Sequence, residues 1–565
     1  MKNLIIRLET KCSAGLDQCG VYRHAESSDF QPLLLSFCAD DGPMQTVDLT
    51  TGRPPPEILD ALTQKEIIKW SLDGTAARIC LSRWMKDHGI PLNAQTDPKY
   101  IQPEGWRSTM VWCAALGLPT SFAKVCQILG IEQEEWTLRI PNAGECILWK
   151  AFQFWSQEQL EAERKLLHWL SRFPQPDWLW EEYFLDQKIN DRGIGLDVEF
   201  VQQVLQRQEK LSPTARQKYY AMEQAVCADG RIRGTLQFYG APRTGRWSSQ
   251  LVQNLPKTNL DLSTLTEVKE LVRAGKWKEL QSRRPNVPYL LSQMLRTALV
   301  PEAGKEFIVA DYNAVEPRVL AWLAGEHWRN QLFAQGGDLY CASASRMFHV
   351  LVEKEGQNSH LRQKGKIAEL ALGYGGSVQA LKKMMGTAAS EIPEKELSDM
   401  VSAWRRANPH ITAFWRQVNR AAKQAIRFHD MGEAHGIRFY YDYGFLCIQL
   451  PSGRQRVYAD PRVETDPLGW DHITFLSGDE WKRQETYGAR LVENMVQGIA
   501  RDLLAHAMRN LSSSSLVLHV HDELVVEEKG LPPEEVCKQM CRLPDWARGL
   551  LTQAEGFAAP FYCKS

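Results

Sequence analysis

Apolar residues recur with two different periods along this chain, and the switches between them mark its main elements. Residues 3–8 and 32–38 are short apolar runs of strand length, whereas 158–172 carries a helical pattern. Pro174, Pro176 and the aromatic cluster after Asp177 break the text, so a boundary is expected near 175. From Asp186 to Arg296 the pattern is mainly helical and polar, with Gly-rich turns near Gly193 and Gly240. After Arg296 it changes again. Phe307-Ile308-Val309-Ala310 predicts a buried strand that ends on Asp311, and helices are expected at 315–324 and 361–374. Leu516-Val517-Leu518-His519-Val520 predicts a second such strand, followed by His521-Asp522-Glu523 and by a strand resuming at 524–526. That spacing predicts a tight hairpin with the charged triplet at its bend.

A length of 565 residues implies several domains, at roughly 150 residues each. With 44% hydrophobic and 24% charged residues the chain is an ordinary globular protein rather than a disordered one. Lys and Arg number 67 against 68 Asp and Glu, a balance that neither demands nor excludes nucleic acid. The basic run Lys269, Arg273, Lys276, Lys278, Arg283, Arg284 and Arg296 reads either as a solvated helix face or as a phosphate-tracking surface. None of the 13 cysteines forms a CxxC pair, which argues against a disulfide framework or a zinc ribbon. Arg7 interrupts the first apolar run too early for a signal peptide, and no run is long enough to span a membrane. A cytoplasmic protein with no membrane partner is expected.

Two acidic strand ends, Asp311 and Asp522, suggest a site for hard divalent cations. Mg²⁺ is commonly held by one or two carboxylates plus substrate phosphates, and two such ions can flank an in-line displacement. Alone, an Asp at a strand end is an ordinary turn residue. The segment from Arg362 to Gly376 adds weight. Arg362, Lys366, Leu370 and Tyr374 recur every four residues and form one helical stripe, cationic at one end for a triphosphate and apolar or aromatic at the other for a base. No GxxxxGK[ST] motif occurs, so the phosphate site is not a P-loop. His519 and His521 lack a third ligand at sensible spacing, which disfavours zinc.

These blocks resemble motifs A, B and C of the family A (DNA polymerase I-like) DNA polymerases: Asp311-Tyr312-Asn313-Ala314-Val315-Glu316-Pro317-Arg318, then Arg362 to Gly375, then His521-Asp522-Glu523. Thr244-Gly245-Arg246, Gln253-Asn254-Leu255-Pro256 and Val496-Gln497-Gly498 agree, and Gln357-Asn358-Ser359-His360 and Pro451-Ser452-Gly453-Arg454 are similar to the bacteriophage branch. The resemblance implies template-directed addition of deoxynucleoside triphosphates to a primer 3′-hydroxyl. Two Mg²⁺ ions, with Mn²⁺ able to substitute, would be held by Asp311, Asp522 and the Tyr312 backbone carbonyl, with Glu523 in support. Lys366 would share the catalytic role with the two aspartates. Arg362 and Lys366 would hold the triphosphate, Leu370 and Tyr374 would shape the base-pair pocket, and Glu316 would exclude a 2′-hydroxyl. Primer–template DNA would meet Arg246, Gln253, Asn254, Gln497 and His521.

The implied fold is multidomain, α/β and α+β. A ribonuclease H-like exonuclease-type domain over 1–175 would be followed by a short thumb and the start of the palm over 176–295. The palm over 296–565 would carry fingers inserted at about 325–435. Departures concern activity. Leu370 stands where many members carry Phe or Tyr, a position linked to sugar selectivity, and Pro317 is tolerable only in the first turn of a helix. In the proofreading domain, Arg7 replaces an Asp two residues before Glu9, the acid of the second motif falls on Ala77, and Trp155 and Gln159 replace Tyr and Asp. One Glu beside an Arg cannot hold two divalent cations. The expectation is a polymerase without proofreading, serving phage-type replication or specialised repair or bypass. A processivity factor or a separate exonuclease would be a natural partner. The alternative is a non-catalytic DNA-binding or replisome assembly factor, against which the intact Asp311, Arg362, Lys366 and Asp522 argue; a nuclease is disfavoured by the missing acids.

Overall fold

The structure, a computed structural model, describes residues 1–93, 98–141, 145–207, 209, 211–249, 251–387, 392–478 and 480–564, the side chains of 17 and 18 excepted. It opens with a five-stranded sheet in the spatial order Gln45–Asp48, Gln31–Ala39, Asn3–Lys11, Ile68–Ser71, Trp106–Ser108. The first three strands are antiparallel neighbours, and the last two run parallel to Asn3–Lys11. Parallel strands require a crossover, which helix Gly74–Asp87 supplies. Side chains alternate between the faces. Leu4 and Ile6 join Ala77, Leu81 and Trp84 of that helix, while Ile5 and Cys38 join Leu160 and Leu166 of helix Cys146–Leu170. This is the ribonuclease H-like arrangement that the resemblance implied.

Helix Asp177–Arg192 follows the break after Pro174 and joins the two halves of the molecule. Asp191 and Gln187 receive the buried Arg78 of the amino-terminal half at 2.8 Å each. From the same helix, Glu182 pairs with the buried Arg501 and Asp186 accepts the Trp247 indole N–H at 2.8 Å. Helices Val198–Leu205, Pro213–Ala225, Leu262–Arg273, Trp277–Arg283 and Val287–Gln293 occupy the stretch read as a thumb.

The basic run in this stretch divides: Arg273, Lys276, Lys278, Arg283 and Arg284 are exposed, as a solvated helix face requires, whereas Lys269 and Arg296 are buried. Lys269 is buried, 3.1 Å from Asp197 and bonded to the Thr297 carbonyl. Arg296 is buried too, holding the Leu255 and Pro256 carbonyls. Arg283 pairs with Glu267 and Glu279, and Arg273 with Glu199. Ammonium and guanidinium groups that satisfy buried carbonyls organise the interior rather than track phosphate.

A second sheet has the order Leu516–Val520, Glu523–Glu528, Glu306–Tyr312, Ala554–Ala559, all neighbours antiparallel. Phe307, Ile308, Val309 and Ala310 are all buried, which explains why the run is continuously apolar rather than alternating. From the end of this strand the chain enters helix Val315–Ala324 through Ala314, held at φ +53°. Pro317 lies in the first turn, where its missing N–H would have had no helical partner. The fingers stretch holds helices His327–Ala334, Leu339–Phe348, Leu361–Leu372, Val378–Met385, Glu394–Ala407 and Pro409–Phe428. A six-stranded antiparallel sheet then runs from Gly432 to Thr486, before the long buried helix Gly488–Asn510. The sequence reading did not foresee that sheet.

Candidate active site

The acidic residues converge at one end of the second sheet. Register places Asp311 directly opposite Glu523, so both side chains stand on the same face. Val520 pairs with Glu523, which leaves His521 and Asp522 as a two-residue turn, and His521 takes the positive φ, +55°, that such turns favour. The Tyr312 N–H donates to the Asp522 carbonyl at 3.0 Å and pins the turn beside Asp311. The Tyr312 hydroxyl donates to the Met540 carbonyl inside the core, so only its backbone is available to the site. Burial and the adjoining Asp311 carboxylate hold the Asp522 carboxyl well above the usual range. Burial likewise raises Glu523, which accepts the Tyr562 hydroxyl at 2.6 Å.

Asp311 Oδ1 is buried without a hydrogen-bond partner, the other oxygen of Asp311 lies 2.9 Å from Lys564 Nζ, and Glu523 Oε2, buried and without a hydrogen bond, lies 3.4 Å from the same ammonium. Crowded carboxyl oxygens with unused lone pairs suit a hard divalent cation. Among the described residues no group of three or more His, Cys, Asp or Glu is set to hold a metal ion. A cation here would complete its shell with water and substrate oxygens, the usual condition of Mg²⁺. Lys564, the nearest cation to these carboxylates, was missed by sequence reasoning because a single Lys carries no periodic or motif signal.

Helix Leu361–Leu372 presents Lys366 and Leu370 to solvent, with Leu370 53% exposed. Arg362 donates to Asp338 Oδ2 at 2.7 Å, and both Arg362 and Lys366 stand over the Tyr340 ring. The opposite face is anchored by Glu369, whose Oε1 accepts from Arg329, Ser343 and Trp404 at 2.7–2.9 Å. Gly365 lets the helix lie close: a Cβ there would meet the Tyr340 carbonyl oxygen at 2.2 Å. The helix ends before Tyr374, two residues short of the expected bound, yet Tyr374 still reaches the site. Its hydroxyl donates to Glu316 Oε2 at 3.2 Å, while Arg246 binds Glu316 Oε1. One carboxylate thus links the segments of Asp311–Arg318, Arg362–Gly375 and Thr244–Arg246. His521 is exposed at the turn; partial desolvation by the protein around it, with the cations Arg246 and Lys564, lowers its pKa against the opposing pull of Glu316 and Asp311.

The positions expected to meet DNA differ in availability. Asn254 is exposed at φ +56°, and Gln497 is half-buried on helix Gly488–Asn510. Gln253 is turned inward. Its Oε1 accepts the Ser249 N–H and its Nε2 donates to the Trp247 carbonyl, so it shapes its own loop. The Arg454 of the phage-like segment is also internal, bonded to Asp502 and to the carbonyls of Thr244 and Gly498. Gly245, at φ +72°, makes room for it, since a Cβ would fall 2.3 Å from the guanidinium. His519 is buried edge-on to Trp247, with its pKa pushed down to about 3, which makes it a core residue.

In the amino-terminal sheet, Arg7 Nε lies 2.6 Å from Glu9 Oε1, and its guanidinium stacks 5.0 Å from the Trp155 ring. Gln159 donates to the Glu134 carbonyl. Ala77 belongs to the cluster of Leu4 and Ile6, whose side chains alternate with those of Arg7 and Glu9. Glu163, one turn beyond Gln159, is an acid that sequence reasoning did not count. It is fully buried, accepts the Thr109 hydroxyl at 2.6 Å, and is raised by burial to about 7.

Comparisons with known proteins agree with this geometry. A family model described as DNA polymerase family A matches residues 196–543. The DNA polymerase of Bacillus phage SP02 is 34% identical over the full length of both chains. DNA polymerase I of Chloroflexus aurantiacus is 28% identical over 47% of this chain and 24% of its own length, and the thermostable DNA polymerase I of Thermus aquaticus 25% identical over 54% and 30%. Among solved structures, the POL domain of Pol1 from M. smegmatis, in complex with DNA primer-template and dNTP, superposes with a TM-score of 0.61 over 99% of this chain and 95% of its own, at 16% identity. With the right-hand fold in place and the motif segments meeting at one acidic sheet end, the chain belongs to DNA polymerase family A and is a DNA-directed DNA polymerase.

Proposed function

We propose that the chain extends a primer 3′-hydroxyl at the Asp311–Asp522 end of the sheet, in two-metal chemistry with Mg²⁺, for which Mn²⁺ can substitute. Bound there, the ions would supply charge stabilisation for the attacking and leaving oxygens. Asp311 and Asp522 would hold them, helped by the Tyr312 carbonyl, and Glu523 would fix the face on which Asp311 stands. Arg362 and Lys366 would bind the triphosphate and offset the negative charge that builds on it as pyrophosphate leaves, an electrostatic role rather than a covalent one. Tyr374 and Leu370 would pack against the nascent pair, and Glu316, held by Tyr374 and Arg246, would sit where a ribose 2′-hydroxyl must go. Arg246, Asn254, Gln497 and His521 would contact the primer–template. The observation that carries this reading is the link through Glu316, which joins Tyr374, just past the helix of Arg362 and Lys366, to Arg246.

The amino-terminal domain, about 1–175, is proposed to lack proofreading activity. In support, the Arg7 guanidinium pairs with Glu9, and Glu163 is sealed in the core with its carboxyl pushed up to about 7 by burial. The full-length likeness to a phage polymerase favours phage-type replication over repair. With a short thumb over about 176–295, a processivity factor or a separate exonuclease is the expected partner.

Primer extension on matched and 3′-mismatched duplexes tests both parts. Wild-type protein should extend the matched primer and leave the mismatched one unshortened. Asp522→Ala should lower the rate by at least about a thousandfold, as befits loss of a group acting on the transition state. Shortening of the mismatched primer would overturn the nuclease reading, and extension that survives Asp522→Ala would overturn the site.

A further inference from the structure

The carboxylate cluster already contains a cation supplied by the chain itself. Lys564 Nζ lies 2.9 Å from Asp311 Oδ2 and 3.4 Å from Glu523 Oε2. It arrives there along a segment that is firmly held. Phe561, Tyr562 and Cys563 are buried, the Tyr562 N–H donates to the Leu299 carbonyl, and the Tyr562 hydroxyl contacts both Glu523 and the Arg296 guanidinium at 2.6 Å. Arg296 in turn grips the Leu255 and Pro256 carbonyls. The lysine is therefore presented by a braced strap rather than by a free tail.

Three acidic groups, Asp311, Asp522 and Glu523, crowd one end of the sheet. Without a counter-charge their repulsion would spread them. The ammonium occupies one oxygen of Asp311 while the other, Oδ1, stays buried and unpartnered. A lysine is a compact point charge on a flexible stem, able to yield an oxygen without leaving the neighbourhood.

We infer that Lys564 is a tethered internal cation that holds Asp311 and Glu523 in register in the metal-free enzyme and competes with the divalent ion for Asp311. It is a positioning residue that sets how much metal the enzyme needs. The inference rests on Asp311 being a metal ligand, as proposed above.

The test is direct titration of the full-length protein with Mn²⁺, free ion being counted by electron paramagnetic resonance. Lys564→Met and Lys564→Gln both remove the charge, and each should bind Mn²⁺ roughly tenfold more tightly than wild type, the equivalent of one lost charged contact. Lys564→Arg should stay close to wild type. Metal-free Lys564→Met should also melt lower than wild type and gain more on adding Mn²⁺, because binding stabilises in proportion to affinity. A purely structural role would weaken binding instead. Unchanged or weaker Mn²⁺ binding in either charge-removing variant overturns the inference. Asp311→Asn separates the two levels: if it leaves wild-type Mn²⁺ binding intact, the metal reading of Asp311 fails, not merely the role given to Lys564.

Discussion

Glu316 accepts from two partners at once, the Tyr374 hydroxyl and the Arg246 guanidinium, and is thereby fixed in place. A carboxylate held on both sides cannot swing aside for a larger sugar, so steric exclusion of ribose should depend on it. Glu316→Ala should reduce the preference for deoxynucleotide over ribonucleotide by about tenfold or more, measured as the ratio of kcat/KM for dCTP and CTP. A variant with undiminished preference would remove Glu316 from that role. That role is proposed from the motif; the double tether was not legible there, because Arg246 stands 70 residues away in sequence. The same holds for Asp338, which steadies Arg362, and for Glu163, whose acidity is suppressed by burial that no local pattern announces. At Gln253, which its motif suggested for DNA, local backbone groups bond both ends of the amide.

Helix Leu361–Leu372 works as an element because it is clamped at its back. Glu369 ties it to three neighbouring segments, and Gly365 lets it rest on the Tyr340 backbone. Gly365→Ala would force the helix away from Tyr340, at a cost of about 1–3 kcal/mol for overpacking. It would also carry Arg362 and Lys366 off their positions, so KM for the incoming nucleotide should rise about tenfold in single-nucleotide incorporation assays. A change in thermal stability without a change in KM would show that the stripe is not held by this contact. The strand at 516–520 was readable because all but His519 of its residues are apolar, and the helix at 315–324 because Val315, Val319 and Leu323 recur every four residues; both have the bounds expected. Helix Cys146–Leu170 extends 12 residues ahead of the expected start, since Ile147 and Phe154 are exposed and blur its period. In the six-stranded sheet Ile437 and Phe439 do alternate with Arg438, but strands so short say little until their partners are known.

At the scale of the whole molecule, helix Asp177–Arg192 is shared property. Arg78 from one half and Arg501 from the other are both buried, and each finds its anion on this helix. A buried cation that loses its partner typically destabilises by about 3–5 kcal/mol. Asp191→Asn should therefore lower the urea midpoint of the entire protein. Tryptophan fluorescence and polymerase activity should be lost together in one transition, although Asp191 lies outside the proposed catalytic set. Separate transitions for the two signals would mean that the halves fold independently. Composition and net charge could not disclose this coupling, because it depends on which buried charges meet.

The shared helix bears on inheritance as much as on folding. If the amino-terminal domain performs no chemistry, a deletion that discards it would leave Asp191 and Gln187 without the arginine they hold. The surviving half would carry that fault through every generation. On that proposal the domain would be retained as a foundation is retained, and the face around Glu9 would be freer to drift than the side facing the helix.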